Sequence, residues 1–268
     1  MGTIAFIGGG NMASAIVGGL RRGGRAGESL LVVDPNVEQR TRLEQEHGVR
    51  TLAAADSTLA SADLVVWAVK PQFFRVAAEA AVPHLRNALH LSVMAGIRSD
   101  AMASALGTER IVRAMPNTPA LIGRGIAGLY ARGAVDAAGR AAGEAVLAAT
   151  GRVVWVGREA DLDAVTALSG SGPAYVFYVA EAMVTAARQM GLDEGTGRAL
   201  ALATFAGAAA LAEDSNEALE ALRARVTSRG GTTHAAITTL DARGVADAFV
   251  EAVRAAQVRA RELGDEFG

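Results

Sequence analysis

No cysteine occurs among the 268 residues, which excludes disulfides, thiolate metal sites and a cysteine nucleophile. Lysine is nearly as scarce: it occurs once, at Lys70, although arginine is abundant. Any step that needs an amine therefore has one candidate. The four histidines, His47, His84, His90 and His234, lie far apart and form no ligand-spaced pair, so no metal site is expected. Neither sign of charge dominates. With 26 basic and 28 acidic residues and a net charge of −2, the chain lacks the basic footprint of a nucleic-acid binder. Long apolar runs are missing too. "ALALATFAGAAALA", from Ala199 to Ala212, is the longest, and it falls short of the ~20 residues a membrane span needs. No charged segment followed by an apolar one marks a signal peptide at the start. These absences lead to the expectation of a soluble, cytoplasmic protein without nucleic-acid or membrane partners.

What is present is an alternation. Apolar runs at Ile4–Ile7, Leu30–Val33, Leu64–Val69, Leu89–Val93 and Ile111–Ala114 end in turn or cap residues. Between several of them lie stretches with helical spacing, such as "NVEQRTRLEQEHG" from Asn36 to Gly48. Strands alternating with helices predict an α/β fold with a parallel sheet. Two further strand-like runs, "GIAGLYA" and "RVVWVG", flank an alanine-rich helix. From about Glu159 the strand signal disappears, and helices are expected over 175–190, 196–213, 216–224, 233–241 and 245–262. A domain boundary near Gly157 follows, dividing the chain into residues 1–157 and 158–268. Several helices of the second part are apolar nearly all round, and such a helix must be covered on all faces. A partner subunit is the expected cover.

The stretch "TIAFIGGGNMA" carries the first chemical signal. Gly8-Gly9-Gly10-Asn11-Met12-Ala13 fits G-x-G-x-x-G/A, in which the first glycine makes the turn and the second lets backbone approach a pyrophosphate. The small third position lets the helix pack close to the strand. The string alone is weak, but here it follows a strand and opens a helix at the start of a βαβ unit, the context a dinucleotide site requires. Asp34 ends the second strand, where an acidic residue would accept hydrogen bonds from the adenosine ribose and repel a 2′-phosphate. Asp-Pro-Asn is also good turn chemistry, and one residue can serve both roles. "AVKP", Ala68 to Pro71, ends another strand at the carboxyl edge, where Lys70 would meet a phosphate or ribose. A solvated cation ahead of a helix with Pro71 at its first position is the plainer alternative.

Three more loops repeat the pattern of small and polar residues before a helix. "AMPNTP" offers Asn117 and Thr118, and "SGSGPAY" places Ser171 or Gly172 as a cap before Pro173. In "VTSRGGTTHAA", Gly230-Gly231 lets successive N–H groups converge while Thr232-Thr233 opens a helix, an arrangement suited to a carboxylate. Each loop alone is also an ordinary helix cap.

Taken in order and spacing, "FIGGGNMA", "AVKP", "MPNTP", "LSGSGPAY" and "VTSRGGTT" resemble the pyrroline-5-carboxylate reductases, over nearly the whole chain. The resemblance implies a Rossmann-type domain followed by an all-α dimerisation domain, in a homodimer or a ring of dimers. It also implies an active site at the dimer interface. Ile7, Gly8, Gly9, Gly10, Asn11 and Met12, with Ala68, Val69, Lys70 and Pro71, would hold NADPH or NADH. Ala95, Gly96 and Asn117 would lie near the nicotinamide. Ser228, Gly230, Gly231, Thr232 and Thr233 would bind the substrate carboxylate, with Thr233 approaching the ring nitrogen. Two departures bear on the cofactor. Many members with NADPH preference resemble one another in carrying a small polar residue where this chain has Asp34. Some also carry asparagine near Ala55. Both changes favour acceptance of NADH. Arg229 stands where proline is frequent.

The chemistry is consistent with this resemblance. A ketone leaves an alkoxide on reduction and needs a placed acid, yet the chain offers no convincing His–Asp pair. A cyclic imine can be protonated before hydride arrives, so orientation is the main requirement. His234 is adjacent to Thr233, but its place on a first helical turn points to solvent. A dehydrogenase resembling the 6-phosphogluconate type would use a lysine in the helical half, which is absent here. A non-catalytic nucleotide sensor would have no need of the Gly-Gly-Thr-Thr nest.

Overall fold

In the computed structural model, which describes residues 2–267, the apolar runs of the first half become the strands of one eight-stranded sheet. These are β1 (Thr3–Ile7), β2 (Leu30–Val33), β3 (Arg50–Leu52), β4 (Ala62–Trp67), β5 (Leu89–Ser92), β6 (Ile111–Met115), β7 (Gly125–Ala131) and β8 (Gly151–Trp155). Their order is β3-β2-β1-β4-β5-β6-β7-β8. The helices packed among them are α1 (Asn11–Arg22), α2 (Val37–His47), α3 (Phe74–Ala81), α4 (Ser99–Leu106), α5 (Ala137–Ala148) and α6 (Asp161–Val165).

Side chains alternate along each strand, and here both faces are covered. Ile4 and Phe6 pack on one side with Ile16, Leu20 and Leu43, all buried. Ala5 and Ile7 pack on the other with Val65, Trp67 and Phe74. Burial on both faces explains why these strands read as continuous apolar runs rather than alternating ones.

The sheet is parallel except between β6 and β7, which run antiparallel with Arg113 opposite Tyr130. The parallel sheet expected from the alternation of strands and helices is found from β3 across to β6. Residues 116–124 hold only a short 3₁₀ turn, too little chain for the crossover a parallel neighbour needs. Strand β3 was not anticipated, because "RTL" is three residues with one apolar side chain.

A charged network ties β6, α4 and α6 together. Arg113, buried in β6, meets Glu159 at 2.5 Å. The Ser99 N–H and hydroxyl donate to the same carboxylate at 2.6 and 2.5 Å. Burial pushes the Glu159 carboxyl up, but the Ser99 donors and Arg113 together hold it below its ordinary value. Beside it Arg98 grips Asp163 through two nitrogens, each at 3.1 Å.

After α6 the chain makes a π turn over Thr166–Gly170. The remaining helices are α7 (Gly172–Gln189), α8 (Glu194–Glu213), α9 (Leu219–Arg225), α10 (Thr232–Ala242) and α11 (Val245–Phe267). Residues up to Ser171, with those from Ala256 onward, form one compact unit, and Gly172–Ala255 form a second. Within the second, α7 and α8 pack together, and Tyr175 meets Phe249 edge to face at 5.7 Å. Much of its apolar surface is exposed, including Phe177, Tyr178, Leu200 and Leu211. Among the described residues no helix is long and apolar enough to cross a membrane.

Candidate active site

The strand order changes direction between β1 and β4, and a groove opens at the carboxyl ends of β1, β2 and β4. Open α/β sheets hold ligands at such a reversal. The groove encloses about 730 Å³, and Ile7, Gly8, Gly10, Asp34, Ala68, Val69 and Lys70 all line it. Seven of the expected cofactor residues are thus brought to one place. Sequence reading did not anticipate its outer wall, formed by Ala53, Ala54, Phe73, Val76 and Ala77. Phe73 and Val76 are exposed there, and an exposed apolar side chain gives no distinctive signal in a sequence.

The glycines differ in what they permit. Gly8 has φ +96°, and a Cβ on it would stand 2.8 Å from the Ala68 carbonyl oxygen. Only glycine fits that conformation and that approach of β1 to β4. At Gly10 a Cβ would meet nothing within 4 Å. Gly10 is also the N-cap of α1 and makes no side-chain cap hydrogen bond, so no capping side chain takes up the first N–H groups of the helix. An anion fits such a terminus by dipole and by unsatisfied donors. The residues present therefore suit a pyrophosphate.

Asp34 has both carboxylate oxygens in use. One accepts the Gly9 N–H at 2.7 Å and the other the Asn36 N–H at 2.8 Å. The turn role and the groove-facing role coexist in one residue. Lys70 is exposed at the groove and caps the 3₁₀ turn Pro71–Phe73. Asn11 lines a separate hollow of about 240 Å³ with Ser14, Arg22, Arg42 and His47.

The residues expected near the nicotinamide follow strands β5 and β6. Gly96 has φ +76°, and a Cβ there would sit 3.2 Å from the Phe267 ring. Asn117 is buried, accepting from Ile126 N–H at 3.0 Å and donating to the Ser169 carbonyl at 3.1 Å. It joins two of the sequence motifs. Gly170 completes the junction, since a Cβ would fall 2.7 Å from Met115 Cε. The expectation of Ser171 as a cap is corrected: its dihedrals are helical, φ −83° and ψ −19°. Ser169 bonds back to the Val165 carbonyl at 3.0 Å, so the segment is a bulged helical turn.

In the second unit, Gly230 has φ +77° and Gly231 caps α10 without a side-chain hydrogen bond. A Cβ on Gly231 would stand 2.6 Å from Ser228 Oγ, so Ser228 and the Gly-Gly pair fold tightly on one another. Thr232 is exposed, Thr233 half-buried and His234 exposed. This elbow offers N–H groups and hydroxyls at a helix start, a fit for a carboxylate.

Between the paired strands β4 and β5, Trp67 Nε1 donates to His90 Nδ1 at 3.0 Å. Burial, with help from Arg110, pushes the His90 imidazole down to about 4. Among the described residues, no group of three or more His, Cys, Asp or Glu is placed to hold a metal.

Residues 159–263 match the family described as pyrroline-5-carboxylate reductase dimerisation. Residues 3–96 match one described as NADP oxidoreductase, coenzyme F420-dependent. The pyrroline-5-carboxylate reductase of Pseudomonas aeruginosa is 42% identical over 267 residues, 99% of this chain and 98% of that protein. A solved structure of the Coxiella burnetii pyrroline-5-carboxylate reductase superposes with a TM-score of 0.92 at 37% identity, covering 98% of both chains. The Plasmodium falciparum pyrroline carboxylate reductase, solved with NADP bound, gives 0.86 at 26% identity and 98% of both chains.

Proposed function

This chain belongs to the pyrroline-5-carboxylate reductase family, and from that premise we propose how its residues reduce 1-pyrroline-5-carboxylate to L-proline, the last step of proline biosynthesis. The reduced nicotinamide of NADH or NADPH supplies the hydride. Gly10, Asn11 and Met12 give the pyrophosphate their N–H groups, with Ile7, Gly8 and Gly9 shaping the turn. Asp34 takes the adenosine ribose, and Lys70 with Ala68, Val69 and Pro71 closes the other side. Ala95, Gly96 and Asn117 frame the nicotinamide end.

Ser228, Gly230, Gly231 and Thr232 hold the carboxylate of the imine, and Thr233 hydrogen-bonds its ring nitrogen. The imine is protonated at nitrogen to the iminium, hydride adds at the adjoining ring carbon, and the nitrogen keeps its proton. No alkoxide forms, so no strong acid is needed. The chain's contribution is orientation, which can supply about 7–11 kcal/mol of a barrier. The observation that carries this assignment is the uncapped start of α10 behind Gly230-Gly231.

The chain is a homo-oligomer whose second half holds the family's dimerisation region. In our reading residues 1–157 bind cofactor and residues 158–268 serve dimerisation and substrate. A partner's elbow then faces each cofactor groove, dimers gather into a ring, and the enzyme works in the cytoplasm. The exposed Phe177, Tyr178, Leu200 and Leu211 support cover by a second copy. Thr233→Ala tests the chemistry. We expect kcat to fall about tenfold or more, as for loss of a hydrogen bond at the reacting group, with NADH affinity nearly unchanged. Unchanged turnover would remove Thr233 from the mechanism.

A further inference from the structure

Helix α2 begins with Asn36 as N-cap, its side chain accepting from Glu38 N–H at 2.8 Å and Gln39 N–H at 3.1 Å. Gln39 is then the third helical residue, whose side chain ordinarily reaches back to the N-cap N–H. Here it does not. The Asn36 N–H is taken by Asp34 Oδ1, and the Gln39 amide instead crosses to the glycine loop. Its Nε2 donates to the Gly9 carbonyl and lies 3.2 Å from Ser14 Oγ. Ser14 Oγ in turn donates to the same carbonyl at 3.3 Å and accepts from Arg42 at 3.1 Å. Both ends of Gly9 are therefore held: its N–H by Asp34, its carbonyl by Gln39 and Ser14.

The consequence follows from peptide geometry. Among the described residues all peptide bonds are trans, and a trans peptide points its C=O and the next N–H in opposite directions. A Gly9 carbonyl fixed toward α2 turns the Gly10 N–H away from α2, and Gly10 is one of the residues that line the groove. Because Asp34 occupies the Gly9 N–H, that donor is not available to a phosphate. The donors left are those from Gly10 onward.

We propose that Gln39 is a positioning residue for the cofactor's pyrophosphate, acting by holding the Gly9–Gly10 peptide in the orientation that presents Gly10 N–H. The proposal rests on the reading of the glycine loop as the pyrophosphate site. Gln39 touches neither substrate nor the reacting atoms, so its effect falls on binding and not on the chemical step.

The test uses Gln39→Ala and Gln39→Met, the second matched in length but without a donor. ADP-ribose, adenosine, NADH and NADPH are titrated against each full-length protein. The dissociation constants for ADP-ribose, NADH and NADPH should rise about three- to tenfold, the worth of one neutral hydrogen bond. Adenosine affinity, kcat at saturating cofactor and the KM for the imine should stay as in the parent protein. Unchanged ADP-ribose affinity in both variants overturns the role of Gln39. An equal loss for adenosine also overturns it, since that marks general damage to the groove. A parent protein that fails to bind ADP-ribose refutes the pyrophosphate reading itself.

Discussion

Acidification should destabilise this protein through His90, by an amount that can be worked out. The imidazole is buried in β5, accepts the Trp67 N–H at Nδ1, and ionises only near pH 4 rather than at the ordinary 6.5. Burial is the main cause, with Arg110 adding repulsion. Between these values the unfolded chain binds a proton that the folded chain refuses, so stability falls as pH falls. The neutral pair contributes fully above about pH 6.5 and is lost as pH drops through about 4. Applying linkage to this difference gives a loss of about 2 kcal/mol by pH 5 and about 3 kcal/mol by pH 4. Other carboxylates titrate in the same range, so the measurement is a difference against His90→Gln, which keeps an acceptor for Trp67 but has no proton to gain. Urea unfolding at fixed protein concentration, at pH 7.5 and pH 5, should show the parent protein losing about 2 kcal/mol more than the variant. Parallel losses would refute the reasoning, as would an NMR titration of His90 centred above pH 6.

Three further expectations concern the groove and its support. Gly8→Ala should weaken NADH binding at least about tenfold, since its Cβ would press on the Ala68 carbonyl oxygen at 2.8 Å in a conformation L-residues avoid; equilibrium titration checks this. Arg98→Ala should cost about 3 kcal/mol or more by leaving Asp163 charged and buried without its two-point partner; an unchanged thermal midpoint would contradict it. Steady-state kinetics should give NADH a kcat/KM at least equal to that for NADPH, because the Asp34 carboxylate stands at the groove where a 2′-phosphate would come. A strong NADPH preference would count against that role.

Some of this was legible in the sequence because the physics leaves few choices. A left-handed turn beside a closely approaching strand admits only glycine, so Gly8 carries its geometry on its face. Fully buried strands such as Leu30–Val33 are apolar throughout, and the Gly230-Gly231-Thr232-Thr233 string marks its own helix start. Other features depend on what the fold brings together. Asn36 and Gln39 have the spacing of an ordinary helix cap, and only the placement of Asp34 frees Gln39 to reach Gly9. Arg113 and Glu159 lie 46 residues apart, so their pairing has no local signature. The direction of β7 turned on the short 3₁₀ link after β6, which composition alone does not reveal.

The activity of this chain is hydride transfer to a carboxylated ring imine. The direct measurement is loss of reduced-nicotinamide absorbance on adding 1-pyrroline-5-carboxylate to the purified homo-oligomer, with proline quantified as product. Proline should form in step with cofactor oxidation, and 2-oxo acids should give no turnover. Cofactor binding without imine-dependent oxidation, or turnover of a hydroxy acid in its place, would contradict the claim.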